Sequence, residues 1–442
     1  MLHLYLFCPV QQQRFSVTTA DWPLFHARLM AWIKDWPYFA VYENQRGKGW
    51  DQPFRALCAK QSLKPEGADA FSQIQNWQDH AQMPIALCLS YDLKNQVERL
   101  ESTNPDRIHA PLYLAFEAEV EVVYANEQLS ITAENPEQVF LAIHSILPIE
   151  ARTHFFEGQV NCGMAEAEYL DKVNKVRQHI EEGDVYELNL CVEFFSDACK
   201  LDMLQAYFAL RQRSAVPMSA FLKFDSLYVL SASPERFLQK QGDILVSQPI
   251  KGTRPRAKDP EQDLALREEL LRSEKDRAEN VMIVDLVRND LAHSCIPGTV
   301  KVPELFGIYS FPQVHQMISE VRGQLRPEVH GIEAMKSCFP MGSMTGAPKV
   351  MAMQLIEGLE NAKRGIYSGS IGVLEANGDF DLNVVIRTLV YNEKDSALSF
   401  QAGGAITYDS KPEEEWREIL IKASAIHDML AQATYPQDLP VT

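Results

Sequence analysis

Ser247-Gln248-Pro249-Ile250-Lys251-Gly252-Thr253-Arg254-Pro255-Arg256 follows a predicted strand at Asp243–Val246 and sets one lysine in a predicted tight turn. Glu235 lies sixteen residues upstream of that lysine, in Ser233-Pro234-Glu235-Arg236-Phe237. A strand, a turn and a returning strand would bring the two side chains together. An amine and a carboxylic acid at strand ends suit nucleophilic attack with an acid assisting the leaving group.

Outward from this stretch, strands are predicted at Ser226–Ala232 and Glu187–Phe195, and a helix over Tyr169–Glu182 ending at Gly183. Pro260–Ala292 reads as one long helical region. Ser370–Leu374, an Asn377-Gly378 turn, Leu382–Val390 and Leu398–Ile406 read as an antiparallel meander. Asp409 or Ser410 caps a last helix with Pro412 in its first turn, and its core stripe is Trp416, Ile419, Leu420, Ala423 and Leu430. Toward the N-terminus, Leu2–Phe7, Phe39–Glu43, Ile85–Tyr91 and Leu112–Tyr124 read as strands. Asp21 or Trp22 caps a helix through Leu24, Phe25, Met30 and Ile33. The polar stretch Asn126–Pro136 reads as a join between subdomains. Strands grouped in hairpins and helices in clusters indicate an α+β fold.

A net charge of −18 excludes nucleic acid and anionic membranes as partners, because both need basic faces. The eight cysteines form no CxxC pair and sit in apolar stretches, which predicts buried free thiols in a reducing cytoplasm. The apolar start, Met1–Cys8, lacks a basic opening and a small-residue cleavage site, so it reads as a strand and not as a signal peptide. No run of eighteen apolar residues exists to span a membrane.

Two acidic pairs have helical spacing. Asp276 and Glu279 lie on one face of a helix; Glu415 and Glu418 lie on one face of the last helix, with Lys422 four residues beyond Glu418. Two such helices could hold one Mg²⁺, a hard ion that takes oxygen ligands. Taken alone, each pair reads first as a solvated helix face. Gly342-Ser343-Met344-Thr345-Gly346-Ala347-Pro348-Lys349 precedes a helix at Val350–Glu357; its glycines leave N–H groups for an anion, or simply cap the helix. Arg387, in a predicted strand among apolar residues, needs a ligand or a salt-bridge partner. Gly403-Gly404 allows close backbone approach or makes a bulge. His315 reads as a proton carrier or as a satisfied structural residue.

These pieces in this order resemble the chorismate-utilising enzymes: anthranilate synthase component I, aminodeoxychorismate synthase component I, isochorismate synthase and salicylate synthase. The resemblance rests on PIKGTRPR, ENVMIVDLVRNDL, VHQM, GSMTGAPKV, IYSGSIG, VVIRT and EEEWREILIKA, which cover residues 140–435 densely. Residues 1–130 match loosely, through Ser90-Tyr91-Asp92-Leu93 and the 36–43 strand. The resemblance implies two large antiparallel sheets packed as a sandwich, helices outside and the active site in a cleft. It implies an N-terminal subdomain over 1–135 and a chorismate-binding catalytic domain over 140–435, intertwined in one unit. It implies Mg²⁺ on Glu279 and Glu418, with Glu415 and Asp276 as helpers. Gly252, Thr253, Thr345, Gly346, Tyr367, Arg387, Gly403, Gly404 and Lys422 would then contact the substrate, and Lys251, Glu235 and His315 would carry the chemistry.

Lys251 separates the members, since anthranilate synthases resemble this motif with alanine there. The lysine implies covalent attack on chorismate, loss of the 4-hydroxyl and entry of ammonia to give 4-amino-4-deoxychorismate. At a usual pKa near 10.4, only about 0.04% of a lysine is free base at pH 7. The expectation is that Arg387, Mg²⁺ and desolvation lower that pKa while Glu235 raises it. Glu187 departs from the family: amine-transferring members carry glutamine there and water-using members lysine. It is assigned to the amine site. Ala257 stands where glycine is usual. No GxCxG glutaminase elbow is present, which implies a separate glutamine amidotransferase subunit as ammonia source. The alternatives are anthranilate synthase component I and a non-catalytic regulatory subunit, the latter predicting lost metal carboxylates.

Overall fold

Period-two alternation places each strand's side chains on two different cores. In the strand Ile85–Leu89, Ile85, Leu87 and Leu89 enter one apolar cluster while Ala86 and Cys88 enter another. In Tyr38–Glu43, Phe39 and Val41 face one way and Ala40 the other. The shared cluster takes Ala40, Leu57, Leu222 and Val229 from one sheet and Ala86, Cys88, Ile371 and Val373 from a second. The two sheets therefore pack face to face, and helices cover both outer faces.

The computed structural model describes residues 10–43, 53–64 and 69–433; the strand expected at Leu2–Phe7 lies outside them. Among the described residues one sheet has 12 strands and the other nine, each with antiparallel neighbours. The larger runs from Gln11–Ser16 through Gln128–Ala133, Val120–Ala125, Phe54–Ala59, Tyr38–Glu43, Met218–Phe224, Leu227–Ser233, Thr388–Asn392 and Ala397–Ile406 to Glu187–Ser196 and Gly346–Ala347. The smaller runs from Ile250–Pro255 through Val314–Gln324, Ile244–Gln248, Arg236–Gln241, Phe380–Val384 and Ser370–Leu374 to Ile85–Leu89 and Tyr113–Glu117. Both sheets mix strands from the two ends of the chain. No described helix is long and apolar enough to cross a membrane.

Several expectations change. Leu112–Tyr124 is not one strand: the chain leaves the smaller sheet after Glu117 and enters the larger at Val120, tied at the crossing by the Ala118 amide to the Pro84 carbonyl (2.9 Å) and the Glu119 amide to the Cys58 carbonyl (2.8 Å). Leu382–Val390 likewise splits into Phe380–Val384 and Thr388–Asn392, one in each sheet. Alternation continues through the first crossing, so the pattern alone cannot show it; at the second it breaks at Val384-Val385-Ile386, where the chain changes sheets. Asn126–Pro136 is not an open join; it holds the strand Gln128–Ala133, paired with Val120–Ala125 across a turn whose Asn126 and Glu127 have positive φ. Pro260–Ala292 breaks at Ser273 into helices Pro260–Arg272 and Glu274–Ala292. Leu420 is 43% exposed and outside the core stripe. Cys58, Cys88, Cys191, Cys199, Cys295 and Cys338 are buried free thiols, whereas Cys162 is exposed.

Candidate active site

Lys251 sits in a bulge, not in a turn. The strands Ile244–Gln248 and Ile250–Pro255 pair with the same neighbour, Val314–Gln324. One register holds from Ile244 opposite Gln324 to Ile250 opposite Ile318; it then slips so that Thr253 faces Gln316. The extra residue falls at Lys251-Gly252, and Gly252 has φ +86°. Proline and glycine around one lysine read as turn signals, but here they interrupt a strand that keeps its neighbour. A bulge locally re-aims a side chain, and the Lys251 side chain ends only 11% exposed. Gly252 is needed twice over: a Cβ there would meet Asp276 Oδ1 and Leu270 Cδ1, each at 2.8 Å.

Carboxylates surround the lysine. Glu187, at the head of the Glu187–Ser196 strand, puts Oε1 4.0 Å from Lys251 Nζ. Its side chain is 2% exposed and its Oε2 has no hydrogen-bond partner among the described residues. Burial alone would lower the lysine pKa, but Glu187, Glu279, Glu235 and Glu418 outweigh it and hold the group above its ordinary value. Desolvation lowers the pKa as expected, but it comes with four anionic neighbours where Glu235 alone was expected to raise it. Glu235 precedes the strand Arg236–Gln241, whose ladder to Ile244–Gln248 leads the chain back toward Ile250. Burial pushes its carboxyl up to about 7, against the opposing pull of Ser343, Lys251 and the Ile250 amide.

The two acidic helices converge from opposite ends of the sequence. Ser273 caps the Glu274–Ala292 helix, its hydroxyl accepting the Asp276 amide at 3.3 Å. One turn on, Glu279 lies 3.9 Å from Lys275. Burial raises the Glu279 pKa, and Lys251 and Lys275 oppose the rise. Glu418, in the helix Pro412–Ala433, pairs with Lys422 at 2.6 Å, and Lys422 also donates to the Gly403 carbonyl at 2.8 Å. Burial works against the Glu418 charge, yet Lys422, Lys275 and Lys251 hold its pKa below the usual range. Glu415 is 4% exposed, accepts from Ser410 at 2.7 Å and is pushed up by burial. Gly404 lies against both: a Cβ there would stand 3.5 Å from Glu415 Oε2 and 3.8 Å from Glu418 Oε1.

Asp276 is taken by Arg254 at 3.0 Å. Among the described residues, three metal-capable side chains come within 4.8 Å of one another only at His179, Glu182 and Asp184. The expected quartet is therefore not closed around a single point. Each of its carboxylates has a lysine, arginine or serine partner instead.

Arg387 is not in a strand. It sits where the chain passes between sheets, with φ +50°. Its guanidinium has no hydrogen bond or ion pair among the described residues, and burial pulls its pKa below the usual arginine range. Tyr367 is 5% exposed, with its hydroxyl 3.9 Å from Cys191 Sγ. A Cβ at Gly403 would strike that same sulfur at 2.5 Å. Thr345 is fully buried; its hydroxyl donates to the Met341 carbonyl at 3.1 Å and its carbonyl accepts the Asn189 amide at 2.8 Å. Gly346 pairs with Leu188, and a Cβ there would strike the Glu187 carbonyl at 2.2 Å. Thr345 and Gly346 thus brace the strand that carries Glu187. Thr253 is exposed on the strand beyond the bulge. His315 goes elsewhere: Nδ1 is 2.8 Å from Ser310 Oγ and Nε2 3.1 Å from Asp263, which Arg256 also holds. Both ring nitrogens are engaged, so neither is free to move a proton at Lys251.

One group was missed in the sequence. Arg364 is buried, bonded to both Glu360 oxygens, to the Met344 carbonyl (2.6 Å) and to the Asn189 carbonyl (2.8 Å). It ties the glycine loop and the Glu187 strand to the end of the helix Lys349–Leu359. Its signal was the i,i+4 spacing of Glu360 and Arg364, which reads equally as a surface pair.

The description "chorismate binding enzyme" matches residues 36–428. An aminodeoxychorismate synthase component 1 from Klebsiella aerogenes is 38% identical over 79% of this chain and 78% of its own length. An aminodeoxychorismate synthase from Arabidopsis thaliana is 43% identical over 58% of this chain and 28% of its own. An anthranilate synthase component 1 from Saccharolobus solfataricus is 39% identical over 63% of this chain and 64% of its own. The chain spans 28–37% of the length of several curated relatives it matches. Among solved structures, anthranilate synthase component I from Streptococcus pneumoniae aligns with TM-score 0.74 at 23% identity over 95% of this chain and 92% of that one, and the menaquinone-specific isochorismate synthase from Escherichia coli with 0.76 at 17% over 96% and 95%. At these identities the structural likeness establishes the fold, and the sequence match establishes kinship: the chain belongs to the chorismate binding enzyme family.

Proposed function

We propose that the chain converts chorismate and ammonia to 4-amino-4-deoxychorismate. The observation that carries this reading is the buried Lys251 amine, aimed by its bulge among Glu187, Glu235, Glu279 and Glu418. Arg387 is a cation without a partner among the described residues and suits one carboxylate of a dicarboxylate substrate. Glu279, Glu418 and Glu415 offer hard oxygen donors, two of them raised by burial and so short of positive charge; they fit a Mg²⁺ ion, while Asp276 is engaged by Arg254. When bound, the ion supplies charge that holds a substrate carboxylate.

Lys251 gives one proton to Glu187, and the freed electron pair bonds to ring carbon 2. The bond from carbon 4 to its hydroxyl breaks, and that oxygen takes the Glu235 proton and leaves as water. Ammonia then bonds to carbon 4 as the ammonium, the bond to Lys251 breaks, the electron pair returns to the lysine nitrogen, and Glu187 returns its proton to Lys251. Glu187 holds Lys251 in place and offers its free oxygen to the incoming nitrogen. The name "component 1" carried by the Klebsiella relative supports a second subunit, a glutamine amidotransferase, as ammonia source.

The test is product identification from chorismate, Mg²⁺ and ammonium salt. Aminodeoxychorismate without pyruvate release is expected; anthranilate with pyruvate would overturn the reading. Lys251→Ala is expected to abolish product formation and keep chorismate binding, measured by calorimetry. Unchanged turnover in that variant would remove the covalent route.

A further inference from the structure

We propose that a small cavity behind Glu235 returns the proton this carboxyl loses in each turnover, through Asp290 and Lys349. The inference rests on the proposed function, in which Glu235 gives a proton to the leaving hydroxyl.

The cavity measures about 20 Å³, and Glu235, Ser343, Gly342, Cys338, Val287 and Asp290 line it. That volume holds one water, provided polar partners are present. Three are. Glu235 and Asp290 line it from two elements, and the Ser343 hydroxyl stands beside Glu235 with no well-aligned partner among the described residues. Asp290 is 6% exposed and bonded to Lys349 Nζ at 2.7 Å. Lys349 also donates to the Cys338 carbonyl at 3.3 Å, and its side chain reaches the surface at 14% exposure. The charged group beside Glu235 is Lys251; Lys349 and His293 stand beside Asp290. Arg236, on the cavity wall, is held by Asp381 at 2.8 Å and Gln248 at 2.6 Å. It donates no proton.

The need is mechanical. Glu235 is 5% exposed, and under the proposed function bound substrate would cover its side of the cleft. Ammonia arriving uncharged leaves with the product as the carbon-bound ammonium, so it returns no proton to Glu235 and each turnover draws one from solvent. When the carbon–oxygen bond breaks, the oxygen keeps the electron pair, takes the Glu235 proton and departs as water. The carboxylate then takes a proton from the cavity water, that water takes one from the Asp290–Lys349 pair, and solvent recharges the pair. No redox partner is involved and charge balances at each transfer. Asp290 and Lys349 are the last polar residue of ENVMIVDLVRND and the lysine of GSMTGAPK, which no other step uses.

Two variants test this in the full chain, checked for folding by circular dichroism. Asp290→Asn removes the carrier; Val287→Phe fills the cavity and removes no polar group. At pH 6.5 the resting Glu235 carries its proton, so rapid mixing should show a first turnover like that of the unmodified chain. Later turnovers should slow at least about tenfold, with a larger solvent deuterium effect on kcat. Equal slowing of first and later turnovers would make the residues structural and overturn the relay, as would unslowed steady-state turnover in either folded variant. If Asp290→Asn does not fold, Val287→Phe decides. An unmodified chain that makes no product from chorismate would remove the proposed function and the relay with it.

Discussion

Lys251 and Glu235 have opposite problems in one buried space. Four carboxylates keep the lysine charged, so the proposed attack would need substrate and metal to quench their field. The same burial keeps Glu235 protonated far above the ordinary carboxyl range, which suits an acid at neutral pH. The raised pKa also fixes a sign for stability. Between 4.5 and about 7 the folded chain holds a proton that the unfolded chain has lost. The contribution of this group is therefore full below 4.5 and fades as pH rises through about 7. Glu235→Gln, neutral throughout, should raise the melting temperature more at pH 8 than at pH 5, while cutting turnover by about 10²–10⁴-fold. A melting curve at each pH and one rate measurement check both. Both residues were legible as an amine and an acid on returning strands. Glu187, read from its departure from the family, gained physical content only when the fold set its carboxylate 4.0 Å from Lys251.

The bulge at Lys251-Gly252 and the cap at Ser273 show what local sequence conceals. Proline and glycine punctuate a chain whether it turns or merely bulges, and only the partner strand tells which. Gly252→Ala should cost about 1–3 kcal/mol, because φ is +86° and the added carbon meets Asp276 and Leu270. Chemical denaturation measures it, and a fall in kcat larger than the loss of folded protein would show that Lys251 has been re-aimed. Arg364 acts at the same scale, joining the end of one helix to the glycine loop and the Glu187 strand. Arg364→Met leaves Glu360 buried without its partner, and should destabilise the chain by about 3–5 kcal/mol. An unchanged denaturation midpoint would show that the clamp is dispensable.

At the scale of the molecule, the cleft forms between helices that begin 138 residues apart, at Glu274 and Pro412, over two sheets that exchange strands. Their carboxylates feel a common lysine, Lys275, across the gap. Mg²⁺ should therefore stabilise the fold by linkage, by about 2.7 kcal/mol at a hundredfold excess over its Kd. The rise in melting temperature should vanish in a Glu279→Gln, Glu418→Gln double variant; its persistence there would move the metal elsewhere. The amino-acid sequence by itself determined the α+β class, the last helix with its Glu418–Lys422 pair, and the nearness of the Lys251 amine to the Glu235 carboxyl, because spacing along one strand or helix fixes which side chains share a face. It did not determine where a strand leaves one sheet for the other, that Arg387 lies at such a crossing, that Asp276 belongs to Arg254, or that His315 points to Asp263. Those depend on which distant segment arrives as neighbour, and the neighbour supplies the burial and the counter-charge that turn a residue into a site.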